Sequence, residues 1–326
     1  MNVGIVGCGF IGQKRAANLG GHRLAGVFDL DQGRAAALAA RVEGCRACSS
    51  LEELLGLPGL QAVVVATLHR ELGPLALKAV EAGKHVLVEK PGGRRPGELR
   101  PAADLAARRG LVVKVGFNHR FHPALLKARE IFDTGALGPM MYVRGRYGHG
   151  GRIGYDREWR ADPELSGGGE LIDQGMHLID LARVFLGEFS EVSGYLPTLY
   201  WDMPVEDNAF LLLRTPQGQA AWLHATWSEW KNLFCLEICG RQAKLQVDGL
   251  GGSYGTERLT YYKMKPEMGP PEVEAWEFPG PDRSWELEFE DFALAVAGGR
   301  RPYGDVEDGL RALEVLEKLY RQSNRP

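Results

Sequence analysis

Apolar runs alternate with helical patterns along the first third of the chain. Short apolar stretches at residues 60–66, 84–88 and 111–115 predict buried strands, and helices are predicted at 71–82 and 101–109. Strands that are apolar throughout, with helices between them, are typical of a parallel sheet covered on both faces. The pattern therefore predicts an α/β fold whose N-terminal part is a doubly wound parallel sheet.

The rhythm changes after residue 116. Six stretches of alternating apolar and polar residues predict strands at 190–196, 209–214, 220–227, 234–239, 243–247 and 259–263. Alternation of this kind is typical of an antiparallel sheet with one face on helices. Helices are predicted at 123–134, 169–185, 284–297 and 305–322, and the segment between the first two is rich in glycine and aromatic residues.

These two patterns predict two domains. Residues 1–118 form the domain with the parallel sheet, and residues 119–326 form an α+β domain with a large, mostly antiparallel open sheet. A length of 326 residues is typical of two domains of ordinary size.

Composition excludes some classes of partner. The net charge is −3 and charged residues make up 25% of the chain, so we expect no nucleic-acid or membrane partner. No apolar stretch reaches the ~20 residues of a membrane span. Because the chain enters a strand directly, without a basic segment and cleavage site, we expect a cytoplasmic protein.

A glycine-rich turn follows the first predicted strand. Gly7, Gly9 and Gly12 form a G-x-G-x-x-G pattern ahead of a predicted helix, and the second strand ends at Asp29. Such a turn lets the backbone approach a pyrophosphate, and the acid accepts the ribose hydroxyls of NAD while repelling the 2′-phosphate of NADP. We therefore expect an NAD site, the alternative being a glycine turn that binds nothing.

Two further patterns carry chemistry. Lys90 follows a predicted parallel strand, where ligands bind in such sheets. Asp173 and His177 lie four residues apart after the glycines 167–169, so on a helix they share one face, and Asp180 is placed to bond the imidazole. A surface lysine and a helical ion pair without chemistry are the alternatives for these patterns.

The cysteines give no comparable pattern. Cys45 and Cys48 form one C-x-x-C, but a zinc site normally has a second pair, so we expect no metal.

Together, the glycine turn, Glu89-Lys90-Pro91 and the helix with Asp173 and His177 resemble the Gfo/Idh/MocA oxidoreductases. This family includes glucose–fructose oxidoreductase and inositol dehydrogenase. Residues 66–67, 82–87 and 116–121 also match its pattern, in the same order. The resemblance implies an N-terminal Rossmann domain, and a C-terminal sheet that builds homodimers or homotetramers.

The resemblance also implies roles for particular residues. Lys90, Asp173 and His177 form the reaction centre, in which His177 takes the proton of a sugar hydroxyl and Lys90 stabilises the alkoxide. The expected cofactor contacts are Gly7, Gly9, Phe10, Ile11, Gly12, Asp29, Ala66, Thr67, Glu89, Lys90, Trp159 and Arg160. The expected substrate contacts are Asn118, Arg120, Tyr147, Arg152, Asp173 and His177.

The segment 144–160 bears on the substrate. It combines arginines with tyrosine, histidine and tryptophan on a glycine-rich backbone, so we expect it to form one wall of the site. Arginine forks are suited to phosphates. The expected function is therefore an NAD-dependent dehydrogenase of a nucleotide-sugar or phosphorylated sugar. A redox-neutral NAD-dependent glycosidase and a non-catalytic NAD-binding sensor stay open as alternatives.

Overall fold

The computed structural model describes residues 1–323, which form two compact units. Unit 1 contains Met1–Phe117 and Trp285–Leu310. Unit 2 contains Asn118–Ser284 and the described residues from Arg311 onward. No helix in the described part of the chain is both long enough and apolar enough to span a membrane.

Fourteen strands lie within the described residues. They are β1 (Asn2–Val6), β2 (Arg23–Phe28), β3 (Arg46–Ala47), β4 (Ala62–Val65), β5 (His85–Glu89), β6 (Val113–Gly116), β7 (Met140–Gly148), β8 (Glu191–Tyr195), β9 (Asn208–Arg214), β10 (Ala220–Thr226), β11 (Leu233–Gly240), β12 (Ala243–Asp248), β13 (Glu257–Lys263) and β14 (Glu272–Phe278). The first six belong to one sheet and the other eight to a second.

Ten α-helices accompany these strands in residues 1–323. They are α1 (Phe10–Ala16), α2 (Gln32–Ala39), α3 (Leu51–Leu55), α4 (His69–Glu81), α5 (Pro96–Arg109), α6 (Pro123–Asp133), α7 (Pro163–Ser166), α8 (Met176–Leu186), α9 (Ser284–Gly298) and α10 (Val306–Gln322). The helices predicted from the sequence correspond to α4, α5, α6, α8, α9 and α10, with ends displaced by a few residues.

The sheet of unit 1 is parallel throughout, in the order β3-β2-β1-β4-β5-β6. This is the Rossmann order, in which the chain reverses direction across the sheet beside β1. The strands are nearly all buried, as their continuous apolar sequences predict. Ligands of such sheets bind beyond the carboxyl ends of the strands at this reversal.

All of α9 after Ser284, and the segment that follows it as far as Leu310, belong to unit 1, although the sequence pattern predicts them in the second domain. Phe289 and Phe292 are buried in the same apolar cluster as Ile5 and Val27. The ammonium group of Lys114 on β6 also donates to the carbonyl oxygen of Tyr303. The apolar face of α9 therefore completes the core of unit 1, and the domain boundaries expected for residues 285–310 need this correction.

Unit 2 is built on the eight-stranded sheet, in the order β14-β13-β12-β11-β7-β10-β9-β8. Its pairs are antiparallel except that of β7 with β10, which is parallel. The central strand, β7, is not predicted from the sequence because glycines interrupt its alternation of apolar and polar residues. A Cβ atom on Gly145 would lie 3.0 Å from Leu178 of α8, so this glycine marks a helix packed closely on the strand.

Candidate active site

Two of the three glycines in the turn after β1 are required by backbone packing. Gly7 has a φ of +94°, and a Cβ atom there would lie 2.3 Å from the carbonyl oxygen of Ala66. A Cβ atom on Gly12 would lie 1.8 Å from the carbonyl oxygen of Gly7. A Cβ atom on Gly9, by contrast, would meet nothing within 4 Å. The open space at Gly9 leaves the backbone accessible, which fits the approach of a pyrophosphate.

Asp29 follows β2, and its carboxylate is fixed beside this turn. One oxygen accepts the backbone N–H of Cys8 at 2.7 Å, and the other accepts that of Asp31 at 2.8 Å. Each oxygen keeps a lone pair for a further donor. The carboxylate therefore fits the two hydroxyls of a ribose and disfavours a 2′-phosphate by charge repulsion.

Four more residues expected to contact the cofactor lie at the carboxyl ends of the same strands or in α1. Ala66 and Thr67 follow β4, and the backbone N–H of Ala66 donates to Val6 at 2.8 Å. Phe10 and Ile11 begin α1, and the side chain of Phe10 is 81% exposed. The ring of Phe10 is therefore not buried within unit 1, as expected for a residue that contacts a cofactor.

Lys90 directly follows β5, whose last residue takes part in a buried ion pair. The carboxylate of Glu89 accepts from Nε of Arg15 at 2.5 Å, and Nη1 of the same guanidinium donates to Glu288 at 2.6 Å. The guanidinium also lies 4.4 Å from the ring centroid of Trp285. Glu89, an expected cofactor contact, therefore already has an ion-pair partner within unit 1, and this pair anchors the strand end that carries Lys90.

In unit 2, the helix predicted for Asp173 and His177 begins with one π-helical turn. This turn covers Leu171–Gly175, and α8 starts at Met176. Asp173 lies in the π turn and His177 in the first turn of α8. The two residues are therefore not placed by the regular α-helical spacing that the sequence predicts. Single π turns of this kind are frequent at functional sites.

The glycines before the π turn are required by close packing against Glu206 and Tyr320. A Cβ atom on Gly169 would lie 1.9 Å from the carbonyl oxygen of Glu206, and one on Gly168 would lie 2.0 Å from the hydroxyl of Tyr320. One oxygen of the Glu206 carboxylate accepts the N–H groups of Gly169 at 3.0 Å and Leu171 at 3.2 Å. Burial raises the pKa of Glu206 despite these bonds.

Asp173 is 7% exposed and pairs with Arg160, whose Nε lies 2.9 Å from the carboxylate. The guanidinium of Arg160 also lies 4.5 Å from the ring centroid of Trp159. Burial lowers the pKa of Arg160, but the carboxylate of Asp173 outweighs burial and raises it above the ordinary value. The two side chains form an ion pair in which Arg160 fixes the orientation of Asp173.

His177 is 4% exposed and stacks on His119. The ring centroids are 3.6 Å apart and the planes differ by 18°. The ring of Tyr147, an expected substrate contact, lies 6.4 Å from that of His177 and 5.2 Å from that of His119. Burial raises the pKa of Tyr147 well above its usual value, so its hydroxyl stays protonated.

Asn118 and Arg120, also expected to contact substrate, are both buried and bonded within unit 2. The guanidinium of Arg120 donates to both oxygens of Asp180, at 2.8 and 2.5 Å. The side-chain amide of Asn118 donates to the hydroxyl of Ser284 at 2.9 Å. Asp180, which is expected beside the imidazole of His177, neutralises Arg120 and joins the short helix Asn118–Phe121 to α8.

The arginines of the segment 144–160 do not form one basic wall. Arg144 and Arg146 are exposed on β7, whereas Tyr147 is buried, because alternate residues of a strand face opposite sides. Arg144 also pairs with Glu237 at 2.9 Å. The expectation of a single wall is therefore wrong for these two arginines, which lie on the open face of the sheet.

The second half of the segment lines an open cleft of about 520 Å³. Arg152 and Arg157 contribute to one side of it, and Tyr200 and Trp201 to the other. Arg152 pairs with Glu158 at 2.6 Å, and the indole N–H of Trp201 donates to a backbone carbonyl at 2.9 Å. The cleft thus combines fixed aromatic rings with exposed charged groups.

A buried carboxylate that the sequence analysis missed shapes this cleft. Asp207 accepts the backbone N–H groups of Leu199, Tyr200 and Trp201 at 2.8, 2.7 and 2.9 Å. Burial raises the pKa of Asp207, but these bonds outweigh burial and hold it below the usual value. The signal was present in the sequence as two consecutive acids, Glu206 and Asp207, directly ahead of a strand.

The C-x-x-C pair shows no sign of reactive thiolates. Burial raises the pKa of Cys45 to about 11 and also raises that of Cys48, so both thiols are protonated near neutral pH. Residues 1–323 contain no group of three or more histidine, cysteine or acidic side chains placed to hold a metal ion.

Two family models match the chain. Residues 1–117 match the model of an oxidoreductase family with an NAD-binding Rossmann fold. Residues 125–246 match the model of the GFO/IDH/MocA C-terminal domain. The first match falls in unit 1 and the second in unit 2.

Individual relatives are dehydrogenases by name. The scyllo-inositol 2-dehydrogenase (NAD(+)) of Bacillus subtilis strain 168 is 32% identical over 95% of this chain and 90% of its own length. The levoglucosan dehydrogenase of Pseudarthrobacter phenanthrenivorans is 28% identical over 67% of this chain, but the match spans only 59% of that protein. The structure of GenD2 from gentamicin A biosynthesis in complex with NAD has a TM-score of 0.85 at 27% identity, covering 99% of this chain and 94% of its own.

The Arg120–Asp180 pair predicts a stability difference between two similar substitutions. Arg120→Met leaves the buried Asp180 without its partner, so we expect a loss of about 3–5 kcal/mol in the free energy of unfolding. Arg214→Met removes an exposed pair with Glu191 and costs less than about 1 kcal/mol. Chemical denaturation of both variants measures the difference. Equal losses would show that the buried pair does not hold α8.

Proposed function

The chain belongs to the GFO/IDH/MocA family of oxidoreductases, and from this premise we propose that it is an NAD-dependent dehydrogenase of sugars. It removes a hydride from a carbon that carries a hydroxyl group, while one of its side chains takes the hydroxyl proton. The observation that carries the proposal is the buried imidazole of His177. It follows by four residues the carboxylate of Asp173, which Arg160 holds in place.

Bound NAD supplies the acceptor for the hydride, and the residues that would hold it lie mainly in unit 1. The open backbone at Gly9, between the packed Gly7 and Gly12, fits the pyrophosphate, and the fixed carboxylate of Asp29 fits the adenosine ribose. The proposed further contacts are Phe10, Ile11, Ala66, Thr67 and Lys90, with Trp159 and Arg160 from unit 2 at the nicotinamide end.

His177 acts as the proton acceptor, because a neutral imidazole titrates near working pH. Lys90 donates a hydrogen bond to the same substrate oxygen and stabilises the negative charge that develops on it. Asp173 accepts a hydrogen bond from a neighbouring hydroxyl, since Arg160 keeps its carboxylate oriented. The buried ring of Tyr147 limits water at the imidazole.

We propose a nucleotide-sugar or phosphorylated sugar as the substrate. The cleft with Tyr200, Trp201, Arg152 and Arg157 supports this choice, since aromatic faces stack on sugar rings or bases and guanidinium groups bind phosphate. The relatives named above act on inositol and levoglucosan. Turnover of an unphosphorylated polyol in preference to any phosphorylated sugar would replace this part of the proposal.

We also propose that the chain forms homodimers or homotetramers through the open face of the large sheet. Trp222 and Leu212 are 45% and 47% exposed, and they are cross-strand neighbours on that face. On the other side of Trp222, its neighbour on β7 is Arg144. This face of the sheet therefore has an apolar centre with a charged margin. Interfaces between subunits commonly have this composition.

Substitution of the proposed reaction centre should separate chemistry from cofactor binding. We expect Lys90→Met and His177→Asn each to lower kcat by about 100-fold or more. The affinity for NAD should stay close to that of the unaltered chain in His177→Asn, and in Lys90→Met it should fall by much less than kcat, because Lys90 is also a proposed cofactor contact. Nicotinamide absorbance across nucleotide-sugars, phosphorylated sugars, free sugars and inositols measures turnover. Lys78→Met, on the exposed surface of α4, is the control and should retain full activity.

Full activity of the Lys90 and His177 variants would contradict the proposed roles. Bound NAD with no net NADH across the whole panel would favour the redox-neutral glycosidase or the sensor instead.

The carboxylate of Asp29 predicts the cofactor preference. Asp29→Asn removes the charge but keeps the shape, so we expect NADH affinity to fall about tenfold and NADPH affinity to rise relative to it. Asp104→Asn, on the exposed side of α5, should change neither affinity. Nicotinamide fluorescence titrations give both values. An unaltered chain that binds NADPH as well as NADH would overturn this assignment.

A further inference from the structure

The stacked imidazoles of His119 and His177 limit the charge that the site can hold. Their centroids are 3.6 Å apart, and the two residues are only 6% and 4% exposed. Two imidazolium ions at this distance would repel each other strongly in a buried site. The two rings can therefore hold one proton beyond their neutral state, but not two.

A chain of hydrogen bonds connects His119 to an acidic residue. The carboxylate of Asp282 only accepts, so the hydroxyl of Ser284 donates to it, at 2.6 Å. The oxygen of Ser284 then accepts from the amide nitrogen of Asn118 at 2.9 Å. The amide oxygen of Asn118 consequently faces Nδ1 of His119 at 3.2 Å, and because this oxygen only accepts, Nδ1 carries a proton.

Every hydrogen bond in this chain points toward the negative charge of Asp282. Successive bonds polarise one another, so the amide oxygen of Asn118 is a stronger acceptor than it would be alone. Hydrogen bonding of this kind favours the charged form of the donor. The chain therefore stabilises positive charge on His119, and through it on the stacked pair.

The other ionisable groups near the pair are Tyr147, Tyr254, His122, Glu170, Asp173 and Asp180. Burial raises the pKa of Tyr147 and of Tyr254, so both are neutral. The ring of His122 lies 5.5 Å from that of His119 and bonds to Glu257 at 3.0 Å.

Arginines neutralise two of the three acids, because Arg160 pairs with Asp173 and Arg120 with Asp180. Glu170 is fully buried and contributes to the raised pKa of Tyr147.

We propose that His119 is a positioning residue for proton transfer at His177: the stacked rings titrate as one unit that binds a single proton, and the chain to Asp282 sets the pH at which that proton is lost. The catalytic part of this statement rests on the proposed function, in which His177 takes the substrate proton. There, the substrate O–H bond breaks and an N–H bond forms on His177 as the hydride leaves the carbon. The new charge is then stabilised by the second ring and its polar chain.

A pH titration of the unliganded protein with ¹³C-labelled histidine tests the pairing without any need for turnover. His119→Phe and His177→Asn assign the two signals among the eight histidines. We expect both signals to shift at one common midpoint, together accounting for one proton. Asp282→Asn still accepts from Ser284 but lacks the charge, so the midpoint should fall by about one pH unit.

Asp202→Asn is the matched control, since Asp202 is an exposed acid of the same unit, and it should leave the midpoint unchanged. Two separate one-proton steps would overturn the proposal, as would an unchanged midpoint in Asp282→Asn. If His119→Phe does not fold, Asp282→Asn and Ser284→Ala give the result, because the first removes the charge at the end of the chain, the second removes one of its links, and both keep the stacked rings.

The pH profile of kcat/KM distinguishes this role from a structural one. We expect the acidic limb of Asp282→Asn and of His119→Phe to move to lower pH by the same amount as the NMR midpoint. A purely structural role would lower kcat at every pH without moving the limb, and that result would overturn the catalytic part. Absence of turnover in the unaltered chain would contradict the proposed function alone, because the NMR titration does not depend on it.

Discussion

The buried carboxylate of Glu206 is the contact on which the geometry of the unit 2 site depends. It accepts the N–H groups of Gly169 and Leu171 and the hydroxyl of Tyr320, so it fixes where the π turn begins. Its backbone approaches Gly169 so closely that no side chain fits there. A shift in this contact would move the π turn, and with it Asp173 and the start of α8 that carries His177. The glycine run is thus a packing requirement that places the chemistry.

Much of the fold follows from local pattern. The apolar strands of unit 1 are buried on both faces, and helix ends such as Gly110 after α5 are signalled in the sequence. The glycine turn and the carboxylate of Asp29 were likewise readable, because their roles are local. Strand β7 could not be predicted in this way. Gly145 weakens the strand pattern, and it is explained only by the close tertiary contact with Leu178. The place of α9 in unit 1 was missed for a similar reason, because its apolar face fits either core.

The site was predictable only as far as its motifs are local. Tyr147 and His177 were named from the sequence, and the structure brings their rings together. The partners of Arg120 and Glu89 lie 60 and 74 residues away in sequence, so their ion pairs could not be foreseen. The same separation conceals His119, which meets His177 only through tertiary packing. The buried side chains of Glu89, Arg120 and Asp173 are each held by a specific partner, which fixes the orientation of the reactive groups before substrate binds.

Transfer of deuterium tests the central proposal, hydride removal from a CH–OH carbon, most directly. The unaltered chain is incubated with NAD and sugars deuterated at their carbinol carbons, and the nicotinamide product is analysed by mass spectrometry. We predict that NADH accumulates with the deuterium of one sugar class, and more slowly than with the protiated sugar. Bound NAD with no deuterium transferred from any sugar would contradict the proposal. Deuterium that returns to the released sugar, with no net NADH, would identify a redox-neutral glycosidase.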